Sequence, residues 1–172
     1  SVVAILPAQL RFDAVQEPVS VGSLAGLPEV ADLDGDGHLD VVLACGPCCG
    51  MAPTPDSGHV KVLLGDGTGA LRRAGEPVEV GESALRVAVG DVDGDAVLDV
   101  VCIHHNSYEL AVLTGTGDGE LRHRPELSFL LHDGPRPHVH SVLLVDVNHD
   151  EHLDVVASLI HDHAITVHLG DG

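Results

Sequence analysis

The chain has 172 residues and a formal net charge of −19, because 27 acidic residues stand against 8 basic ones. Such a charge argues against nucleic acid and anionic membranes as partners, since both would repel this surface. Apolar residues reach 44% of the chain in segments far shorter than the roughly 18 residues of a membrane-spanning helix, so we expect one globular unit over residues 1–172 and no membrane insertion.

The N-terminal segment resembles the outer strands of a sheet whose beginning is missing. Residues 1–7 look like a third strand, and Leu10 to Gly22 matches Leu71 to Gly81 further along the chain. We therefore assign residues 1–22 to the outer strands of a preceding sheet. No signal peptide is visible, and the absence of an initiator Met suggests a processed or trimmed piece.

Three copies of one segment follow, at Val30 to Val42, Gly90 to Val101 and Val145 to Val156. Each copy is followed by a glycine-rich marker, at Leu64 to Gly69, Thr114 to Gly119 and Leu169 to Gly172. Recurrence at a fixed spacing is the signature of a repeat protein, and this spacing fits one four-stranded sheet per repeat.

The middle repeat gives the clearest series of strands. Residues Ala84 to Val92 alternate with the period of a half-buried strand, and Leu98 to Ile103 form a continuous apolar run typical of a strand buried on both faces. Glu109 to Leu113 and Glu120 to Leu131 supply a third and a fourth strand. Because no segment shows a sustained helical period, we predict an all-β protein.

Repeated four-stranded sheets usually arrange radially as the blades of a β-propeller. We predict about three blades of four antiparallel strands, at residues 23–81, 82–134 and 135–172, the last incomplete because its fourth strand is missing. Since propellers use four to eight blades, we expect either further blades of a longer chain or a ring closed by homo-oligomerisation.

The repeats share an aspartate-rich loop, whose alternating side chains can point at one centre as calcium requires. The predicted ligands are side-chain oxygens at positions one, three, five and nine of each loop, with the backbone carbonyl at position seven. They are Asp32, Asp34, Asp36, His38 and Asp40; Asp91, Asp93, Asp95, Val97 and Asp99; and Asp146, Asn148, Asp150, His152 and Asp154. Because Asn148 removes one negative charge, we expect the third site to be the weakest.

An EF-hand begins with a similar loop but needs a Glu at position twelve and flanking helices, whereas Leu43, Cys102 and Ala157 stand there. The Asp-x-Asp-Gly-Asp-Gly-x-x-Asp loop with its Leu-Gly-Asp-Gly-x-Gly turn instead resembles the FG-GAP or VCBS repeats of integrin α-subunit heads and secreted microbial propellers. The resemblance implies about three Ca²⁺ ions, each fixing the turn between the first two strands of a blade. Two departures are Ala96 and Glu151, which replace loop glycines.

Histidine and cysteine gather in turns expected on the face opposite the calcium loops. This set includes usual ligands of Zn²⁺ and Cu²⁺. Its members are Cys45, Cys48, Cys49, His104, His105, His132, His138, His140, His161 and His163. The alternative is a set of exposed polar residues, with Cys102 buried and Cys45 joined to Cys48 or Cys49 as a local staple. The Pro-rich insertion, residues 46–58, is a plausible recognition loop.

Two classes of function remain open. The resemblance favours a calcium-stabilised binding or adhesion module that recognises a protein or carbohydrate through the face opposite the calcium loops. The alternatives are an enzyme, or an accessory domain of a secreted polysaccharide lyase or hydrolase, and a transition-metal-binding propeller. Because no nucleophile arrangement is recognisable, we expect a non-enzyme. Loops of this kind suit the roughly millimolar calcium outside cells, which predicts an extracellular, secreted or periplasmic protein, the cell surface included.

Overall fold

The structure is a computed structural model that describes residues 14–22, 25–46 and 58–172. Every regular element within these ranges is a β-strand, and the strands form three antiparallel sheets. The described part contains no helix long and apolar enough to cross a membrane. The all-β fold predicted from the sequence is therefore confirmed.

The first sheet contains a fourth strand that is broken in two. Its elements are β1 (Glu29–Ala31), β2 (Asp40–Cys45), β3 (His59–Gly65), β4 (Leu71–Arg73) and β5 (Val78–Glu79). The sheet order is β1-β2-β3-β4, and β5 also pairs with β3. The register runs from the pair Leu63–Arg73 to the pair Val60–Val78, so two extra residues lie between β4 and β5 and interrupt the pairing.

The second sheet repeats this plan, and the third has three strands. The second contains β6 (Ala84–Gly90), β7 (Asp99–His104), β8 (Glu109–Gly115), β9 (Leu121–His123) and β10 (Phe129–Leu130), with β9 and β10 both paired to β8. The third contains β11 (Val139–Val145), β12 (Asp154–Leu159) and β13 (Ala164–His168), in that order. The blade boundaries given above stay predictions.

The core lies between neighbouring sheets. One cluster of buried side chains joins the first two sheets and includes Val42, Val60 and Val87. A second cluster joins the second and third sheets and includes Ile103 and Val142. Every residue of β7 is buried, as its continuous apolar run predicts, because sheets cover both of its faces.

The stack ends on an uncovered apolar face. In the second sheet Leu110 and Val112 are 0% and 6% exposed, because the third sheet packs against them. The strand register places Ile165 and Val167 at the equivalent positions of the third sheet, where they are 72% and 50% exposed. The described residues thus form part of a propeller, and no ring closes among them.

Residues 14–22 contain no strand and lie against the first sheet. The side chain of Gln16 accepts a hydrogen bond from the backbone N–H of Leu71 at 3.0 Å and donates to its carbonyl at 3.3 Å. Val19 and Val21 pack against buried side chains of β2 and β3. Residues 1–13 lie outside the described ranges, so the assignment of residues 1–22 to a preceding blade stays a prediction.

Candidate metal centres

The three aspartate loops are equivalent connections between the first and second strands of each sheet. They comprise residues 32–39, 91–98 and 146–153. In each case the residue just before the loop pairs across the two strands with the ninth-position aspartate just after it. Each of these aspartates is also the first residue of its strand. The antiparallel register therefore fixes both ends of every loop in the same way.

Hydrogen bonds inside each loop turn the carboxylates inward. In the second loop the Asp91 carboxylate accepts from the N–H of Ala96 at 2.9 Å, Asp93 from Asp95 at 3.3 Å, and Asp95 from Val97 at 2.8 Å. The same three bonds recur in the first and third loops at 2.8 to 3.2 Å. Alternating side chains are thus held around a common centre, as the spacing predicts.

Two of the loops bring three carboxylates within bonding range of one ion. Asp32, Asp34 and Asp36 each place an oxygen within 4.8 Å of the others, and so do Asp91, Asp93 and Asp99. One oxygen of Asp32 is buried without a hydrogen-bond partner. A buried carboxylate oxygen without a partner is costly unless a cation meets it. These hard oxygen donors fit Ca²⁺, which takes six to eight such ligands.

The third loop has a different donor set. Asn148 replaces a carboxylate, and its amide donates to Asp150 at 2.8 Å, which engages an oxygen that an ion would otherwise use. The side-chain donors at positions one, three and five are therefore two carboxylates and one amide. The expectation that the third site is the weakest stays a prediction.

Two positions in every loop take the left-handed backbone conformation that favours glycine. The first loop has glycine at both, Gly35 and Gly37, with φ of 72° and 87°. The second has Ala96 at the later position with φ of 67°, and in the third loop both positions are non-glycine, His149 at 64° and Glu151 at 73°. The sequence pattern identified Ala96 and Glu151 as departures but missed His149.

The ninth-position aspartate has a second role that the sequence did not reveal. Asp99 is buried, and its two oxygens accept from the N–H groups of Val92 and Gly115, both at 2.9 Å. Asp40 and Asp154 make the equivalent pairs of bonds. Burial raises the pKa of Asp99, and the Asp93 and Asp95 carboxylates add to this shift. Each oxygen keeps a second lone pair, so the hydrogen bonds leave the aspartate able to bind an ion.

The first glycine of each turn marker, its second residue, is required by close packing. A Cβ at Gly65, Gly115 or Gly170 would stand 2.2 to 2.3 Å from the carbonyl oxygen of Leu39, Leu98 or Leu153, respectively. That carbonyl belongs to the residue just before the ninth-position aspartate. The loop and the marker are therefore in contact in every repeat, which explains why they recur together in the sequence.

The side chains of the seventh-position residues face the turn markers. The rings of His38 and His152 would stand 2.3 to 2.5 Å from a Cβ on Gly67 or Gly172, whereas Val97 would stand 3.9 Å from a Cβ on the equivalent Gly117. Their expected role as carbonyl ligands concerns the backbone alone, so it is compatible with this packing and stays a prediction.

The histidine and cysteine set is only partly brought together. His105, His138 and His140 place ring nitrogens within 4.8 Å of one another, and the ring of His161 lies 4.3 Å from that of His138. Burial lowers the pKa of His138 and His140, and the neighbouring imidazoles add to the effect. His132 contacts the ring of Tyr108 instead, and His163 is exposed outside the group.

Two members of the histidine and cysteine set are buried outside the histidine group. His104 is buried, because it ends the fully buried strand β7, and its ring nitrogens meet the carbonyl oxygens of Val80 and Glu109, both at 3.1 Å. Cys45 is buried beside Leu43. Cys102 is buried as expected, which raises the pKa of its thiol to about 12. Cys48, Cys49 and the proposed local staple lie outside the described residues, as does most of the insertion.

Stacked antiparallel sheets, each with an acidic loop between its first two strands, define a repeat protein of the β-propeller type. The family model described as FG-GAP-like repeat matches residues 32–102 and again residues 91–157. Each match begins at the first aspartate of a loop and runs through the next loop. The chain belongs to the FG-GAP-like repeat family, which confirms the resemblance read from its motifs. No curated protein matches the chain.

Proposed function

We propose that the chain is a non-catalytic binding module whose blades are each stabilised by a calcium ion. The observation that carries this proposal is the repeated inward arrangement of carboxylates, with a buried Asp32 oxygen that has no hydrogen-bond partner. Converging carboxylates repel one another, and a divalent cation offsets that repulsion.

Calcium would act through the ninth-position aspartate as well as through the loop. Asp99 joins the loop to the end of β8 through its bonds to Val92 and Gly115. An ion bound beside Asp99 would therefore fix three strands of one sheet rather than a single turn. Because a bound ion stabilises only the folded state, the stability of the chain should rise with calcium concentration.

The ligand is proposed to be a protein or a carbohydrate, bound on the face opposite the calcium loops. The chain belongs to a repeat family that serves binding and structure, and this supports a binding module over an enzyme. All ligands proposed for the ion come from the chain itself, whereas a catalytic metal keeps an open position beside a base or nucleophile. A glycan array and a general hydrolase screen distinguish a binding module from an enzyme. Hydrolase activity without glycan binding would favour the enzyme instead.

We further propose that the protein works outside the cell, where calcium is abundant enough for such loops. The exposed Ile165 and Val167 support a further blade or a second copy that covers the third sheet. Light scattering distinguishes these arrangements, since a stable monomer of about 18 kDa would rule out closure between copies.

The test of calcium stabilisation is thermal unfolding in excess Ca²⁺ and in EDTA. We expect a large fall in melting temperature in EDTA, and a smaller difference between the two conditions for Asp93→Asn than for the wild type. Asp133→Asn removes the same charge from a fully exposed side chain outside the loops, so it should respond to calcium like the wild type. Identical melting curves with and without calcium would overturn the proposal.

A further inference from the structure

Four histidines from three turns gather at the end of the sheets opposite the aspartate loops. His105 follows β7, His138 and His140 stand at the start of β11, and His161 lies in the turn between β12 and β13. They therefore bridge the second and third sheets. The aspartate loops do not use this cluster, and its four positions lie outside the loop and turn-marker segments that recur in the sequence.

One pair of ring nitrogens in the cluster is spaced as zinc ligands are, and a third nitrogen lies nearby. The Nε2 atoms of His105 and His140 are 3.2 Å apart, and His138 brings a third nitrogen within 4.8 Å of both. Two nitrogens bound to a tetrahedral zinc ion at about 2.0–2.1 Å stand roughly 3.3 Å apart. The cluster thus holds two imidazoles at nearly the separation of zinc ligands and a third close enough to complete the set.

The buried histidine of the cluster, His105, is held in the tautomer that a metal needs. Nδ1 of His105 donates to the side-chain oxygen of Asn106 at 2.8 Å, and the Asn106 amide in turn donates to Ser83 at 3.1 Å. With the proton on Nδ1, the Nε2 lone pair of His105 points toward His140. An outer hydrogen bond of this kind is what orients metal-binding histidines in proteins.

Backbone hydrogen bonds hold the three turns against one another. The N–H of Val139 donates to the carbonyl of His105 at 3.3 Å, and the N–H of Ile160 donates to the carbonyl of His138 at 2.9 Å. The ligand-bearing segments are thus tied together by main chain on both sides of His138. A site built on such segments requires little ordering when an ion binds.

We propose that His105, His138 and His140 form a three-histidine site for a divalent transition metal, Zn²⁺ in the first instance, with a fourth position open to an exogenous ligand. Three imidazoles plus one open position is a coordination pattern that zinc adopts in proteins. The ring of His161 lies at a tilt of 34° against that of His138 and would help to hold that ring in place. The site shares no residue with the aspartate loops.

Arg86 sets the charge beside the site. Its guanidinium approaches Ser141, next to His140, at 3.5 Å, and its positive charge acts on His140. A neighbouring cation opposes a second one, so Arg86→Gln should raise the affinity for zinc. If the histidines only held the turns together through hydrogen bonds, neither the wild type nor Arg86→Gln would bind zinc.

The test is zinc binding to the whole chain in saturating Ca²⁺, which keeps the aspartate loops occupied, followed by equilibrium dialysis. We expect one zinc per chain, and Co²⁺ in its place should give the strong visible absorption of tetrahedral cobalt. His140→Ala, at an exposed position, should weaken zinc binding by more than about 100-fold, and Asn106→Ala by about 10-fold, since loss of an orienting partner costs roughly 10- to 100-fold.

The matched control is His163→Ala, which removes another exposed histidine from the same end of the sheets and should leave zinc binding unchanged. A melting temperature in calcium equal to that of the wild type shows that each variant is folded. Absence of zinc binding by the folded wild type, or equal binding by His140→Ala and the wild type, would overturn the proposal.

Discussion

The backbone of the second calcium loop predicts that Ala96→Gly stabilises the protein. Ala96 has φ of 67°, whereas the same position of the first loop holds Gly37 at φ of 87°. A left-handed conformation costs a residue with a Cβ about 1–2 kcal/mol. Glycine relieves this cost, but its greater conformational freedom in the unfolded chain destabilises the folded state by roughly 0.4–1 kcal/mol. The net expectation is a stabilisation of about 0.5–1 kcal/mol.

The reverse substitution in the first loop provides the control. A Cβ placed on Gly37 meets no atom within 4 Å, so Gly37→Ala changes the backbone preference without a steric clash. It should destabilise the protein by about the amount that Ala96→Gly gains. The two substitutions exchange the same residue types at equivalent positions, so opposite signs isolate the backbone effect.

Urea unfolding of both variants in saturating calcium gives these free energies, with thermal unfolding as a second measure. For a chain of this size, 1 kcal/mol corresponds to a shift in melting temperature of roughly 2–4 °C. If Ala96→Gly left the free energy of unfolding unchanged or lowered it, while Gly37→Ala had no effect, the left-handed requirement at this loop position would be refuted.

Three other predictions concern the turn marker, the third loop and the single tyrosine. Gly115→Ala should destabilise the protein by about 1–3 kcal/mol in urea unfolding, because its Cβ would meet the Leu98 carbonyl at 2.3 Å, and a loss below about 0.5 kcal/mol would count against this packing. Asn148→Asp should tighten calcium binding at the third loop in a calorimetric titration, since it adds a carboxylate and removes the amide that bonds to Asp150; unchanged affinity would contradict that role. Burial and a hydrogen bond to Asp162 raise the pKa of Tyr108 to about 12, so stability should fall as pH rises from about 10, where the unfolded tyrosine ionises, to 12. The chain has one Tyr and no Trp, so ultraviolet absorbance follows the ionisation of Tyr108 alone. Asp162→Asn should lower the pH at the midpoint of this titration. A wild-type midpoint near pH 10 would contradict the burial of Tyr108.

Much of the fold could be predicted because each repeat carries its own local pattern. The alternation before Asp91 and the continuous apolar run after Asp99 each predict one strand, and the loop between them predicts the antiparallel turn. The paired roles of Asp99 could not be read in the same way, because one partner, Gly115, is 16 residues away and the contact forms only when β8 pairs with β7.

The candidate sites show the same division between local and long-range information. The aspartate loops are contiguous in sequence, so spacing alone predicts their candidate ligands. The histidine cluster draws on turns that lie 35 residues apart in the case of His105 and His140. Residue type placed His104 in that group, but its position at the end of a buried strand determines its partners instead. The breaks between β4 and β5 and between β9 and β10 were also missed, because the extra residues that interrupt each strand show only in the register with the third strand.

Calcium binding to the chelator-treated chain, measured by equilibrium dialysis up to millimolar concentrations, tests the central claim most directly. We expect the first two loops to fill first and the third, with Asn148, to fill last, giving about three ions per chain at saturation. Dialysis that found no bound calcium at millimolar concentration would contradict the claim that these carboxylate loops are calcium sites.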